Sequence, residues 1–317
     1  MPLFLTKHSR LFIAGHRGMI GSAFVRRFSA AGFTQLIVRG HDELDLTDKP
    51  AVAAFFAEQR PDVVILAAGK VGGIVENLTY PADFITRNLE IQTNVIQCAH
   101  HYGVQRLLFF ASSCMYPREC PQPMAEGALL SGKPEVTSMA YAMAKLAGVQ
   151  MCLAYNQQYG EPRFIPVIPN SIYGPNDNFD PQSGHVLSAL INRFHRAVQS
   201  ADPVTTLWGS GQPRREFLHA DDLAAACHVL LDADLGAVEL PINIGSGHDL
   251  PISELAQLIA HIVGYHGTIS WDTGRPDGTL RKLLDSSRIQ ALGWQPGIPL
   301  ETGIRQTYGA FLESGHA

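Results

Sequence analysis

The sequence predicts an α/β protein in which a doubly wound parallel sheet is followed by a smaller C-terminal α/β domain. Three observations point there. Short apolar runs alternate with helical patterns through the first half, a glycine-punctuated turn joins the first run to the first helix, and beyond residue 170 the alternation breaks into shorter, turn-rich pieces. Strands are predicted near 11–14, 35–39, 63–67, 106–110 and 164–168, and helices near 18–31, 48–59, 81–101 and 141–159.

The first run, Leu11-Phe12-Ile13-Ala14, enters Gly15-His16-Arg17-Gly18-Met19-Ile20-Gly21 and then the helical Ser22 to Phe28. Strand, glycine turn and helix follow each other this way in a Rossmann-type dinucleotide fold. Gly15 permits the tight turn, Gly18 lets the backbone approach a pyrophosphate, and Gly21 lets the helix pack on the strand. The first helical amides, from Met19 and Ile20 onward, then face the anion. The spacing is G-x-x-G-x-x-G, which differs from the better known G-x-G-x-x-G, and three glycines alone fit an ordinary strand-to-helix turn. Their place before a helix, with a second strand-helix unit following, favours cofactor binding.

The second run, Gln35-Leu36-Ile37-Val38, ends at Arg39-Gly40-His41, where an NAD site carries an acidic residue for the ribose hydroxyl. A cation there suits a 2′-phosphate instead. Arg17 and Arg39 are therefore a candidate phosphate clamp, which predicts NADP(H) over NAD; the plainer reading is two solvated arginines. Asp45-Leu46 is a candidate adenine-edge contact, and Asp45 equally suits a cap for the helix starting near Thr47. The third run, Val63 to Ala67, continues into Ala68-Gly69-Lys70, so Ala67 and Ala68 are expected beside the cofactor.

The segment Ser138 to Lys145 places the phenol of Tyr141 and the ammonium of Lys145 four residues apart on one helix face. An ammonium beside a phenol favours the phenolate, so a group with a free pKa of about 10 is drawn towards neutrality. That makes Tyr141 a candidate proton donor to a carbonyl, although the same spacing occurs in many helices that do no chemistry. Farther on, Tyr173 to Asp177, Trp208 to Gly211 and Arg275-Pro276-Asp277-Gly278 are turns of a substrate-binding domain. Residues 217–245 are expected to return to the main sheet. The predicted division is 1–170 with 216–246 for the dinucleotide and 171–215 with 247–317 for the substrate.

At 317 residues and 46% hydrophobic, the chain is long enough for a large core or two interlocked domains. A formal charge of -5 gives no reason to invoke nucleic acid or an anionic membrane. Cys98, Cys114, Cys120, Cys152 and Cys227 form neither a disulfide ladder nor a zinc spacing, and no metal is expected. Met1 to Arg10 hold a very short apolar run without a cleavage-like site, and no apolar stretch approaches the roughly 20 residues that span a bilayer. A soluble cytoplasmic enzyme is the expectation.

Gly15 to Gly21, Ser112-Ser113-Cys114-Met115-Tyr116-Pro117, and Tyr141 with Lys145 together resemble the extended short-chain dehydrogenase/reductase family. Within it, the chain is similar to the GDP-L-fucose synthase branch, NADPH-dependent 3,5-epimerases and 4-reductases of GDP-4-keto-6-deoxy-mannose. The likeness runs from about Leu11 nearly to the C-terminus and includes Lys70 to Ile74, Tyr80 to Ile85, Tyr173-Gly174-Pro175, Arg215 to His219 and Pro276 to Thr279. The resemblance implies that Ser112 is the catalytic serine, Tyr141 the acid, and Lys145 the lysine that holds the ribose and tunes the phenol. It implies that Cys114 and His185 carry the epimerisation, that Asn170 lies by the cofactor, and that Arg193, Trp208, Arg215, Asp277 and Lys282 meet the GDP-linked keto-deoxysugar. A homodimer paired through the helices near 81–101 and 141–159 is implied in the same way. Asn170-Ser171 departs from the family's usual Thr-Asn, and Thr137-Ser138-Met139-Ala140 from its Thr-Asn-Glu-Pro; both changes flank the nicotinamide and sugar and bear on which sugar is taken.

The chemistry is coherent on its own terms. A C4 ketone acidifies the hydrogens on C3 and C5, and a thiol of free pKa about 8.5 with an imidazole of about 6.5 can exchange protons there. Tyr141 and Ser112 would polarise the carbonyl, and hydride delivery to C4 with Tyr141 protonating the alkoxide would end the cycle. Each residue has a plain alternative: Cys114 as a small buried hydrophobe, His185 as a helix cap, Ser112 and Ser113 as partners of loop backbone, Arg193 with Arg196 as a solvated face, Trp208 as core. A related GDP-keto-deoxysugar enzyme such as a GDP-L-colitose synthase stays open, as does an epimerase or dehydratase that recycles its cofactor, against which Arg17 and Arg39 count. A non-catalytic NADP-binding module is the third reading, and the Ser112, Tyr141 and Lys145 set speaks against it.

Overall fold

Strand and helix alternate through the first half, as the spacing of the apolar runs requires. In the computed structural model, which describes residues 5–314 except Gln182 and Pro276, the order is β1 (Leu11–Ala14), α1 (Met19–Ala30), β2 (Leu36–Ile37), α2 (Lys49–Gln59), β3 (Val63–Leu66), α3 (Ile74–Thr79), α4 (Pro81–His101), β4 (Arg106–Phe110), α5 (Met139–Tyr159) and β5 (Phe164–Pro169). There follow β6 (Ile172–Tyr173), α6 (Val186–Gln199), β7 (Val204–Trp208), β8 (Arg214–Glu216), β9 (Leu218–His219), α7 (Ala220–Asp232), β10 (Ile242–Ile244), β11 (Asp249–Pro251), α8 (Ile252–Val263), β12 (Thr268–Asp272), β13 (Arg281–Lys282), α9 (Ser287–Ala291) and α10 (Leu300–Glu313). Residues 1–4 of the N-terminal run and Pro276 of the 275–278 turn lie outside the described residues.

Six strands form one parallel sheet in the order β2-β1-β3-β4-β5-β10. Successive side chains on a strand point to opposite faces, and both faces here are apolar. Leu11, Ile13, Val63 and Ile65 enter one core with Phe24 and Phe28 of α1 and Leu223 and Leu230 of α7. Their neighbours Phe12, Ala14, Val64 and Leu66 enter the opposite core with Phe56 of α2, Val95 of α4 and Val149 of α5. Each such Phe, Leu, Ile or Val side chain contributes roughly 1.5–3 kcal/mol by burial. The sheet is thus wound on both sides, and its order reverses between β1 and β3. Such a reversal is where sheets of this kind take a ligand, outside the carboxyl ends of the strands.

A third core lies in the C-terminal half, where Leu187 and Phe194 of α6, Leu255 and Ile259 of α8, and Phe311 of α10 pack around Leu207 of β7. β7 pairs with β12, and β8 is sandwiched between β11 and β13. As expected from the sequence, residues 217–245 return to the sheet: β10 lies beside β5, and Asp221 at the start of α7 holds Arg26 of α1 at 2.6 Å. Two elements differ from the prediction. β2 has two residues because the chain turns at its end, where Arg39 Nη1 donates to the Val38 carbonyl at 2.8 Å. α3 was not foreseen, because it buries only Asn77 and leaves Ile74, Val75 and Leu78 exposed, which removes the amphipathic signal. Among the described residues no helix is long and apolar enough to cross a membrane.

Candidate active site

The glycine turn sits at the point where the sheet order reverses. Gly15 has φ +83°, and a Cβ on it would lie 2.9 Å from the Ala67 carbonyl carbon and the Ala68 amide nitrogen. Glycine is required there twice, by conformation and by the close pass of the β3 end. Gly21 packs on the turn itself, where a Cβ would run into the Gly15 carbonyl, rather than on the strand as the sequence reading had it. Gly18 starts α1 with no side-chain cap and no acidic residue in the first turn, so the amides that follow it suit an anion. Arg17 reaches the end of β2, where its Nη1 comes within 3.0 Å of a Cβ built on Gly40 and 3.6 Å of Asp42 Oδ1. Arg39 leans over the Phe55 ring at 5.8 Å. The two guanidiniums therefore flank the same strand end. Asp45 does not cap α2, which Asp48 caps; its carboxylate accepts from the Thr47 amide and hydroxyl, and those bonds hold its pKa below the ordinary value. Leu46 is buried beside it.

The end of β4 and the start of α5 bring Ser112, Tyr141 and Lys145 together. Ser112 starts a single tight turn, Ser113 to Met115, and its hydroxyl accepts from the Cys114 amide at 3.2 Å. Lys145 is buried, with Nζ 5.8 Å from the centre of the Tyr141 ring and 5.2 Å from that of Phe109. The expectation that this ammonium draws the phenol towards neutrality is not met. Burial pushes the Tyr141 hydroxyl up, the nearby Cys114 adds to this, and only the Ser112 hydroxyl opposes it. Burial also pushes Lys145 down, to about 8. Tyr141 is thus held as a protonated phenol, suited to donating.

Cys114 and His185 are shifted in opposite senses. Burial pushes the thiol up, but the Lys282 ammonium, the Ser112 and Ser138 hydroxyls and the His185 ring together hold it below the ordinary value. His185 stands at the N-terminus of α6 without capping it by a side-chain bond. Its Nδ1 lies 3.5 Å from Asp177 Oδ1, and that bond, with the charges of Asp177 and Cys114, raises its pKa against the cost of burial. Asp177 is itself gripped by the Ser188 hydroxyl.

On the facing side, β8 and β13 pair Arg215 with Lys282. Arg215 Nη1 donates to the Thr279 carbonyl at 2.7 Å, and Lys282 lines a cleft with Cys114, Gln122 and Thr279. Trp208 is 61% exposed under the Arg275 guanidinium, which lies 5.0 Å from a ring centre, so it is not a core residue. Asp277 accepts from the Ser210 amide at 2.9 Å and hydroxyl at 2.6 Å and thereby holds the loop after Trp208. Arg193 donates to the Thr206 carbonyl at 2.9 Å and lines a separate groove with Arg196 and Asp202.

Residues 11–245 match the NAD dependent epimerase/dehydratase family. The chain belongs to that family. It is 51% identical over 308 residues to GDP-L-fucose synthase 1 of Arabidopsis thaliana, a match covering 97% of this chain and 94% of that protein. It is also 51% identical over 312 residues to the GDP-L-fucose synthase of Escherichia coli K12, covering 96% of this chain and 97% of that one. The crystal structure of a GDP-L-fucose synthetase from Naegleria fowleri bound to NADP superposes with a TM-score of 0.90 at 28% identity, covering 99% of this chain and 95% of that one.

Within this epimerase/dehydratase fold, the structure gathers Ser112, Tyr141, His185, Arg215 and Lys282 about Cys114, with Lys145 beside Tyr141, and leaves Arg193 in its own groove. The side chain of Asn170, expected beside the cofactor, is buried, and both ends of its amide bond inside the protein, to the Ser113 hydroxyl at 2.8 Å and to Glu216 and the Lys282 carbonyl at 3.1 Å each. Sequence reasoning missed Ser138, Asp177 and Glu216 as parts of the site. Each lay within a segment already singled out, but partners brought from distant elements give them their roles.

Proposed function

We propose that the chain catalyses the NADPH-dependent 3,5-epimerisation and 4-reduction of GDP-4-keto-6-deoxy-D-mannose to GDP-L-fucose. The observation that carries this reading is the pair of oppositely shifted groups, Cys114 down and His185 up, beside a phenol kept protonated. A reductase alone needs the phenol; inversion at carbons flanking a ketone also needs a base and an acid. The names of the relatives point the same way.

In this reading residues 1–170 and 216–246 hold the dinucleotide, and 171–215 with 247–317 hold the nucleotide sugar. The uncapped amides after Gly18, held by the Gly15 turn and the closely packed Gly21, would hold the cofactor's pyrophosphate. Arg17 and Arg39 take the 2′-phosphate, and Lys145 the ribose. NADPH, when bound, supplies the hydride for C4. Arg215 and Lys282 neutralise the diphosphate, and Trp208 offers a flat exposed ring to the nucleotide side. Cys114, the thiol whose proton is held more loosely than usual, takes a proton from carbon; His185, whose proton Asp177 holds more tightly, returns one to the opposite face. Tyr141, with Ser112, donates to the C4 oxygen, stabilises the enolate between the two inversions, and protonates the final alkoxide.

Five free thiols suit the reducing cytoplasm. We assign a homodimer contact to α4 and α5, where Met143 faces solvent; sedimentation equilibrium tests it. The deciding experiment mixes the protein with GDP-4-keto-6-deoxy-mannose and NADPH and follows nicotinamide absorbance, with the product identified by NMR. Oxidation with an L-fucose product is expected. Bound cofactor without oxidation sinks the reading and directs attention to other keto-sugar nucleotides, because Asn170-Ser171 and Ala140 differ from the usual pattern of similar chains.

A further inference from the structure

Glu216 is fully buried and, among the described residues, has no cation paired with it. A buried carboxylate without a counter-ion persists only where N–H groups surround it. Here they come from three separate segments. Oε2 accepts from Asn170 Nδ2 and from the Leu284 amide, each at 3.1 Å, and Oε1 accepts from the Gly247 amide at 2.7 Å. The 245–247 segment is wrapped so closely on the carboxylate that a Cβ on Gly245 would run into it. Asn170 passes the connection on: its Oδ1 accepts from the Ser113 hydroxyl at 2.8 Å, and its Nδ2 also donates to the Lys282 carbonyl at 3.1 Å. Ser113 lies between Ser112 and Cys114, and Lys282 pairs in register with Arg215, the neighbour of Glu216.

We propose that Glu216 is a positioning residue: through Asn170 and the backbone of 245–247 and 282–284, it fixes the cations Arg215 and Lys282 against the turn that carries Ser112 and Cys114. It touches neither substrate nor cofactor. Every recorded partner of its carboxylate is a donor, so the site demands an acceptor on both oxygens, which glutamine cannot supply. Replacing one oxygen by NH₂ sets donor against donor, at Asn170 and the Leu284 amide on one side or at the Gly247 amide on the other, so one of these segments must move. This deepens the function proposed above and rests on Arg215 and Lys282 being substrate cations.

The test compares Glu216→Gln with the unmodified protein in three measurements: GDP affinity by calorimetry, NADPH affinity by fluorescence, and the pH dependence of iodoacetamide alkylation at Cys114, followed by mass spectrometry of its peptide. The expected result is a GDP Kd raised about tenfold, a Cys114 alkylation profile moved to higher pH, and an NADPH Kd within about twofold. Unchanged GDP affinity and an unchanged profile in a folded variant overturn the proposal, and so does equal weakening of GDP and NADPH, which marks a general loss of structure. If Glu216→Gln does not fold, Ser113→Ala removes only the far end of the chain of bonds. It is expected to move the Cys114 profile while GDP affinity stays within about twofold, and an unmoved profile overturns the proposal. Should the unmodified protein bind no GDP, the nucleotide-sugar reading fails and this proposal with it. If it binds GDP and Glu216→Gln binds equally well, only the role of Glu216 is lost.

Discussion

Two side chains in the site carry opposite lessons about burial. Lys145 has a folded pKa of about 8 against an ordinary 10.5, so the unfolded chain holds that proton more tightly. Stability therefore rises with pH between about 8 and 10.5, and below that window the full penalty is present, up to about 3 kcal/mol. Lys145→Met is expected to stabilise the cofactor-free protein at neutral pH while abolishing activity; urea unfolding that shows no gain contradicts this. Cys114 also sits below its ordinary value, but against its burial and not because of it, since neighbouring charge and hydroxyls outweigh the burial. Cys114→Ser is expected to slow solvent-deuterium incorporation at C3 and C5 more than hydride transfer. Equal losses in the two rates leave Cys114 only a part of the wall.

At the scale of elements, the short β2 and the turn after β1 bring the two arginines of the proposed phosphate clamp to one edge. A strand of two residues ends early enough for Arg39 to fold back onto its own chain and for Arg17 to reach the same edge. Arg39→Ala is expected to raise the NADPH Kd about tenfold while the NADH Kd changes little. Equal weakening for both cofactors removes the clamp and leaves Arg39 a packing residue over Phe55. The helix that follows contributes through what it lacks, namely any side-chain cap on its first amides.

At the scale of the whole molecule, the described residues form three apolar cores, two on the faces of the main sheet and one in the C-terminal half. Polar ties cross between them. Glu216 binds Asn170 to the 284 and 247 amides, and Asp222 of α7 accepts from the Gly297 and Ile298 amides at 3.1 and 2.9 Å. With carboxylates bonded across the joints, neither half can open without breaking these bonds together. One calorimetric transition is expected, and NADPH and GDP, each at about a hundred times its Kd, should each move it to higher temperature by stabilising the folded state by about 2.7 kcal/mol. Two transitions, each answering to one ligand, show that the halves unfold independently.

What the sequence determined by itself is local. Short continuous apolar runs marked the strands, the turn at Gly15 needed a residue tolerant of positive φ, and the four-residue spacing put Tyr141 and Lys145 on one helix face; all are properties of a few neighbouring residues. The tertiary structure decided the rest. Ser113 meets Asn170 across 57 residues of chain and Asn170 meets Lys282 across 112, so no window of sequence held both partners. The protonation of Tyr141 was decided there too, in the sense opposite to the local expectation. Spacing along a helix reports which charges are neighbours, whereas the pKa answers to how much water the fold removes.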